Sequence, residues 1–185
     1  MRTRTALRDA LAKLLHDRLF EDITLNDIAE ASGLNRGTIY KHYADKFALL
    51  DGWIADDLRE RLFAAMSCAT SCADKVSGVV AATCECSRWA TTLGRPDDRL
   101  LRPIVEARIR ALVQHAVTFA LAQKVVRAVG KPELVVPMAA AAVCGAALAW
   151  NGKHLPQHVA ATVAALDHLI VPSAQLPKMT ASISF

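Results

Sequence analysis

The segment from position 35 to position 46 holds the side chains best suited to bind a charged ligand. Arg36 and Tyr40 are spaced i, i+4, which places them on one face of a short helix. Gly37 and Lys41 repeat that spacing, while Ile39 would face the core. A guanidinium can donate two hydrogen bonds to guanine, and a glycine lets the backbone approach a ligand closely. The pattern predicts contacts with DNA.

We expect eight residues here to contact DNA, namely Asn35, Arg36, Gly37, Thr38, Tyr40, Lys41, His42 and Lys46. Arg36 can read guanine, and Thr38 can contact a thymine methyl group or a phosphate. The hydrogen-bond donors from Tyr40 onward suit phosphates. The alternative interpretation is a solvated polar face on a small helical hairpin.

The flanking sequence predicts the elements that would position this face. Thr24 and Asp27 have the spacing of an N-terminal helix cap, and Gly33 has the place of a left-handed stop. Asn35 is a good cap for the next short helix. An amphipathic helix from about Thr5 to Leu19 precedes them. These short helices around a glycine turn have the spacing of a helix-turn-helix.

A long helix is expected after a cap at Asp45. Its inward residues are expected to be Phe47, Leu50, Ile54, Leu58 and Leu62. Further helices are expected at about 75–93, from Pro103 to Val129, at 133–150 and at 157–169. No alternating run compels a strand. The fold class expected is therefore all-α, with about nine helices.

The run ITLNDIAEASGLNRGTIYKHYADKFALL, residues 23–50, resembles the DNA-binding domain of the tetracycline-repressor-like (TetR) family of bacterial regulators. Ser32, Asn35 and Tyr43 replace the usual Ala, Ser and Phe but keep their physical roles. The resemblance implies base contacts from Arg36 and Lys41. It implies that Thr38, Tyr40 and Lys46 contact the DNA backbone and so position the protein on the DNA.

The resemblance also implies a homodimer that binds a palindromic operator, usually as a repressor released by a small-molecule effector. It divides the chain into a DNA-binding domain, 1–46, and a regulatory domain, 47–185. The helices near 133–150 and 157–169 would form the intersubunit bundle, although this pair could instead fill its own subunit. Residues 172–185 show no periodicity and are expected to be a disordered tail or an arm.

No motif of this family identifies the effector site, so its candidates come from inward polar or aromatic positions. These candidates are Trp89, Arg108, His115, Phe119 and Cys144. Each could equally be an ordinary core or surface residue. Trp150 is expected to be a packing anchor.

Charge and composition limit the remaining function classes. The net charge is +4, but residues 1–66 carry 10 basic and 11 acidic side chains, whereas residues 67–185 carry 12 and 7. DNA affinity must therefore come from the local patch Leu34–Lys46. The alternative is a module that kept the fold but binds a partner protein. The sequence shows no phosphate-binding loop, nucleophile motif or paired carboxylates, so we expect no enzyme activity and no cofactor.

The apolar stretch Leu134–Trp150 is interpreted as a buried helix rather than a membrane span, because it contains Pro137 and Gly145. No signal peptide is indicated, so a cytoplasmic location is expected. The five cysteines lack the spacing of a metal site. They are expected to be buried thiols, with a thiol-sensing regulator as the alternative.

Overall fold

The computed structural model describes residues 2–174, and most of them are helical. Its eight α-helices are α1 (Arg2–Asp17), α2 (Leu25–Ser32), α3 (Arg36–Tyr40), α4 (Lys46–Cys68), α5 (Cys72–Ala90), α6 (Leu101–Ala122), α7 (Pro132–Ala149) and α8 (Leu155–Leu166). A 3-10 turn covers Phe20–Asp22, and two short strands are β1 (Val126–Ala128) and β2 (Ile170–Pro172). The expected helical fold class is confirmed.

The chain forms two compact units. Of the described residues, the first unit contains 2–56 and 89–108, and the second contains 57–88 and 109–174. Helices α4, α5 and α6 each contribute residues to both units. The functional boundary expected after residue 46 stays a prediction. Of the expected tail, Pro172 lies in β2, and residues 175–185 lie outside the described residues.

The first unit is built on the apolar stripe of α1, which packs against α2, and α2 packs in turn against α3. Its fully buried large side chains include Leu7, Leu11, Leu15, Phe20, Ile28, Ile39, Leu50 and Ile54. The expected inward position of Phe47 is wrong, because its side chain is 44% exposed. It lies in the first turn of α4 and packs edge-on against Phe20 instead, with ring centroids 5.2 Å apart.

Asp98 joins two elements of the first unit. One carboxylate oxygen accepts hydrogen bonds from the backbone N–H groups of Leu100 (3.1 Å) and Leu101 (2.9 Å), which caps α6. The other accepts from the backbone N–H of Phe20, 78 positions earlier in the chain, at 2.7 Å. Because Asp98 is 6% exposed, these bonds satisfy donors that water reaches poorly.

The second unit contains the two strands, which the sequence did not predict. Helix α6 was expected to reach Val129 but ends at Ala122, where Lys124 adopts a left-handed conformation with φ 56°. The chain then enters β1, which pairs antiparallel with β2 so that Val126 faces Pro172 and Ala128 faces Ile170. Three residues per strand give too little alternation to be recognised.

Helix α7 is only partly buried. Its length and apolar composition are sufficient for a membrane span, but a third of the segment Pro132–Ala149 is buried in the chain. Ala139, Ala140 and Ala147 face the core, while Leu134 (60%) and Met138 (54%) are exposed. The interpretation of this stretch as a buried helix therefore holds for one face only, because the opposite face is apolar and exposed.

We predict that Asp98→Ala destabilises the protein by about 2–4 kcal/mol, because it removes a helix cap and leaves the Phe20 N–H without its acceptor. The melting temperature should fall by roughly 5–15 °C. Thermal unfolding followed by circular dichroism measures this. Asp97→Ala is the matched control, since that neighbouring carboxylate is exposed and pairs with Arg95 at 2.9 Å. Equal losses in both variants would contradict the role given to Asp98.

Candidate nucleic-acid interface

Helix α2 begins at a reciprocal cap, as the sequence predicted. The Thr24 hydroxyl accepts a hydrogen bond from the backbone N–H of Asp27 at 3.2 Å, and the Asp27 carboxylate accepts from the Thr24 N–H at 2.7 Å. Arg18 donates to the same carboxylate at 2.9 Å. The bonds from Thr24, followed by that from Arg18, hold the pKa of Asp27 far below its usual value. This cap is therefore fully ionised at neutral pH.

The turn and the second short helix also follow the predicted local pattern. Gly33 ends α2 with φ 67°, a conformation that disfavours any residue with a Cβ atom. The Asn35 side chain accepts a hydrogen bond from the backbone N–H of Gly37 at 2.8 Å and caps α3. Ile39 and Tyr43 are buried, so they orient the opposite side of α3 toward solvent.

The structure brings most of the predicted DNA-contacting residues together on one exposed surface. Six of them are exposed: Asn35, Arg36, Gly37, Tyr40, Lys41 and His42. The Tyr40 side chain is 55% exposed, and Thr38 is half-buried. An added Cβ at Gly37 would meet only the Asn35 oxygen at an ordinary 3.4 Å, so packing within the protein does not require a glycine there.

Lys46 differs from the other predicted contacts, because its ammonium group already has three partners within the protein. It donates to the carbonyl oxygens of Phe20 (2.6 Å), Glu21 (2.9 Å) and Ile23 (2.8 Å). It also lies 4.8 Å from the centroid of the Phe20 ring. Burial among these groups lowers its pKa from the usual value. We call this arrangement the Lys46 ammonium site.

The Lys46 ammonium site reduces the charge that the predicted patch presents to solvent. An ammonium has three hydrogens, and the three carbonyl oxygens accept all of them. Asp45 is also engaged, since its carboxylate accepts from the backbone N–H of Ala48 at 2.7 Å. Arg36 and Lys41 therefore supply the exposed positive charge between residues 34 and 46.

The five effector candidates do not form one site. Trp89 packs edge-to-face on Trp53 at 5.3 Å, and Arg108 pairs with Asp51 at 2.7 Å, both within the first unit. In the second unit, His115 lies on an open groove with Glu133 and Pro137, and Cys144 is buried. Phe119 alone of the five lines the apolar cavity of that unit.

That cavity was not predicted, because its aliphatic lining residues look like ordinary core residues in the sequence. It has a volume of about 60 Å³. Its lining comes from α4, α5, α6, α7, α8 and both strands, and includes Leu62, Met66, Val76, Val80, Val117, Phe119, Val143, Leu166 and Ile170. The detectable sequence signal was the valine spacing at 76, 79 and 80 on α5, which marks one inward face.

The cysteines have the properties of core thiols. Cys72, Cys84, Cys86 and Cys144 are buried, and Cys68 is exposed. Burial raises the pKa of both Cys84 and Cys144 to about 11, and it raises that of Cys86 as well. Within residues 2–174 no group of three or more His, Cys, Asp or Glu side chains is placed to hold a metal ion.

The comparisons with known proteins locate a family signature on this interface. Residues 7–52 match the family model described as bacterial regulatory proteins, tetR family. A 56-residue stretch is 38% identical to an uncharacterised HTH-type transcriptional regulator, YxbF of Bacillus subtilis. That stretch is 30% of this chain and spans 14% of YxbF.

Solved structures resemble a much larger part of the chain. A putative TetR-family transcriptional regulator from a Rhodococcus species is 20% identical with a TM-score of 0.52, covering 90% of this chain and 98% of that one. The regulator FadR from Bacillus subtilis, in complex with stearoyl-CoA, is 12% identical with a TM-score of 0.55, covering 88% and 96%. At these identities the likeness shows the fold.

The family model thus covers the same residues that form the helix-turn-helix, from the α1 stripe to the first turns of α4. The fold of the remaining chain is the fold of TetR-family structures. Residues 7–52 therefore carry the signature of the tetR family of bacterial regulatory proteins, on a helix-turn-helix.

Proposed function

We propose that this regulator is a homodimeric repressor that binds a palindromic operator with α3 and is released by an apolar small molecule. The observation that carries the DNA-binding part is the exposed face of α3. There Arg36, Tyr40 and Lys41 project from a helix that is anchored by buried Ile39 and Tyr43. Arg36 reads base edges, Tyr40 and Lys41 bind phosphates, and Gly37 permits close approach of the backbone.

Lys46 has a different role in this proposal. Its ammonium is engaged with three carbonyl oxygens of residues 20–23, so we propose that it positions the helix-turn-helix and leaves phosphate contacts to other residues. Asn35 likewise acts through the cap it forms on α3. Thr38 and His42 remain proposed DNA contacts.

The proposed dimer interface is the exposed face of α7 and α8. On α7, Leu134, Met138, Ala141, Gly145 and Leu148 recur at helical spacing and are all exposed. On α8, the exposed positions on one face are Ala160, Ala161, Ala164 and Ala165. An apolar face of small residues on two helices that pack together lets a second copy approach closely, as in a four-helix bundle. This arrangement supports dimerisation rather than membrane insertion, and we propose a cytoplasmic location.

The effector is proposed to bind in the apolar cavity of the second unit. Leu62 and Met66 of α4 line that cavity, and the same helix begins at Lys46 in the helix-turn-helix. A ligand that moves the lining part of α4 would bias the position of α3 in each subunit. A coupling free energy of about 1–3 kcal/mol would be enough to release DNA usefully.

The second candidate function is that of a module which binds a partner protein. It is favoured by one observation, the slight negative charge of residues 1–66. DNA selected from a random library separates the two functions. Enrichment of a palindromic sequence supports operator binding, and the absence of any enriched sequence at low salt supports the partner protein.

We predict that Arg36→Ala weakens binding to the selected DNA by about 1–3 kcal/mol per half-site and relaxes its base preference. Lys41→Ala should weaken binding to every sequence and reduce the slope of log affinity against log salt by about 1 per subunit. Gly37→Ala should also weaken binding, although it fits the free protein. Fluorescence anisotropy across a salt series measures all three.

The thermal stability of these variants is the control. Each of the three changed positions is exposed, so their melting temperatures should stay near that of the wild type. Lys46→Met should lower the melting temperature, because three carbonyl oxygens lose their donor. Wild-type affinity for the selected DNA in the Arg36, Lys41 and Gly37 variants would show that α3 is not the DNA-contacting element.

We predict that Gly145→Trp converts the dimer to a monomer. An added Cβ at Gly145 has no neighbour within 4 Å, so the subunit itself accepts a larger side chain while the interface does not. Analytical ultracentrifugation measures the change in mass. Ala107→Trp, at an exposed position on α6, is the matched control and should remain dimeric. A Gly145→Trp variant with unchanged mass would place the interface elsewhere.

We predict that one thiol per folded chain, that of Cys68, reacts readily with a disulfide reagent at pH 8. Reaction requires the thiolate, and burial raises the pKa of Cys84 and Cys144 to about 11, so both stay protonated at pH 8. Absorbance of the released thiolate counts the reactive groups, and the denatured chain should show all five. Rapid reaction of Cys84, Cys86 or Cys144 would revive the thiol-sensing alternative.

A further inference from the structure

We propose that Arg88 is a positioning residue for the dimer, because it fixes the turn between the two helices of the proposed interface. This inference rests on the proposed dimer face of α7 and α8. It adds a residue of α5, outside that face, that sets how the two helices are oriented. We call α7, the turn 150–154 and α8 together the α7–α8 hairpin.

Three side chains hold the turn of the α7–α8 hairpin. The indole N–H of Trp150 donates to the carbonyl oxygen of Lys153 at 2.7 Å. The Asn151 side chain accepts a hydrogen bond from the backbone N–H of Lys153 at 3.0 Å. Arg88, in the last turn of α5, donates to the carbonyl oxygen of Gly152 at 3.0 Å. Of these three side chains only that of Arg88 comes from outside the hairpin, so it ties the turn to α5.

The backbone at Gly152 is adapted to the approach of the Arg88 guanidinium. Gly152 has φ 83°, a conformation that favours glycine. An added Cβ there would overlap Nη1 of Arg88, so a glycine is needed for the guanidinium to reach the carbonyl oxygen. The guanidinium also lies 5.6 Å from the centroid of the Trp150 ring, within the range of a cation–π contact. Arg88 therefore contacts the turn at two places.

The opposite end of the α7–α8 hairpin is held by the two strands. β1 precedes α7 and β2 follows α8, and the strands pair antiparallel. The backbone N–H of Val129 extends this pairing by donating to the carbonyl oxygen of Leu169 at 2.8 Å. Strand pairing thus fixes the open end of the hairpin, and Arg88 fixes the end with the turn.

The fit of a second copy depends on the angle between α7 and α8. In a four-helix bundle the partner contacts both helices at once. Most of the exposed face is alanine or glycine, and such short side chains cannot reach across a gap that a changed angle opens. A hairpin that is already held in its binding conformation also loses less freedom on association. Loss of the Arg88 contact should therefore weaken the dimer.

Sedimentation equilibrium of the full chain measures the dimer dissociation constant. Arg88→Met removes the charge and the hydrogen-bond donors, and it should raise that constant about tenfold or more. Arg88→Lys should restore part of the affinity, because an ammonium can donate one hydrogen bond to Gly152 but lacks the planar contact with Trp150. Arg102→Met, at an exposed arginine of α6, is the matched control and should dimerise like the wild type.

A double-mutant cycle shows whether Arg88 acts through Gly152. Gly152→Ala should also weaken the dimer, because the added Cβ displaces the guanidinium. The free-energy effect of the double variant should be smaller than the sum of the two single effects, since both substitutions break the same contact. Strict additivity would show that Arg88 does not act through this glycine.

The indole N–H resonance of Trp150 reports the contact directly in solution. It should shift in Arg88→Met because the cation leaves the ring, whereas the resonance of Trp53, in the first unit, should keep its position. Circular dichroism at the working concentration shows whether each variant is folded. If Arg88→Met does not fold, Arg88→Lys decides, and a wild-type dissociation constant in that variant overturns the proposal.

The results separate the role of Arg88 from the proposed dimer itself. A wild-type dissociation constant in folded Arg88→Met, an unmoved Trp150 resonance, or equal weakening by Arg102→Met would each overturn the role of Arg88. If the wild-type chain is a monomer, or if Gly145→Trp leaves the dimer intact, the proposed face is wrong. If Gly145→Trp gives monomers while Arg88→Met dimerises normally, the proposed face stands and the role of Arg88 fails.

Discussion

The hydrogen bonds of the Lys46 ammonium group are the interaction on which the exposed face of α3 depends. The ammonium donates hydrogen bonds to three backbone carbonyl oxygens of residues 20–23, in the segment that connects α1 to α2. Those carbonyls lie beside Phe20, which is fully buried and whose N–H is bound by Asp98. A short irregular segment forms few hydrogen bonds between its own backbone groups. Side chains from α4 and from the residue that caps α6 therefore provide the missing hydrogen-bond partners. The orientation of α2 and α3 follows from this anchoring.

Local features of the site were predictable because their causes lie within four residues. The cap of Thr24 and Asp27 and the cap of Asn35 depend on side chains that bond to nearby backbone. The left-handed conformation of Gly33 depends on its lack of a Cβ atom. Arg36, Tyr40 and Lys41 were predictable as exposed because α3 must bury Ile39. The exposure of the Phe47 side chain was not predictable. The residue lies in the first turn of α4, and the sequence does not show whether the core extends to that turn.

Features that depend on distant residues escaped sequence analysis. The DNA contact of Lys46 stays a prediction, but its three carbonyl partners, 23–26 positions earlier in the chain, could not be deduced from the sequence. The hydrogen bond from the Phe20 N–H to Asp98 joins residues 78 positions apart, so the sequence does not indicate it. The lining of the apolar cavity comes from five helices and two strands, and its valines and leucines are indistinguishable from core residues in sequence. The small residues of α7 look like one surface in the sequence, but they lie on two faces of the helix. Ala139 is buried and Ala141 is exposed.

The central claim is that α3 binds specific DNA while Lys46 stays engaged with the protein backbone. Nuclear magnetic resonance of the uniformly ¹⁵N-labelled chain tests both parts in one titration with selected operator DNA. We expect the backbone amides of Arg36, Gly37 and Thr38 to shift most, while the Lys46 ammonium resonance keeps its position. Shifts confined to another surface, or a Lys46 ammonium signal that moves as far as the α3 amides, would contradict the account.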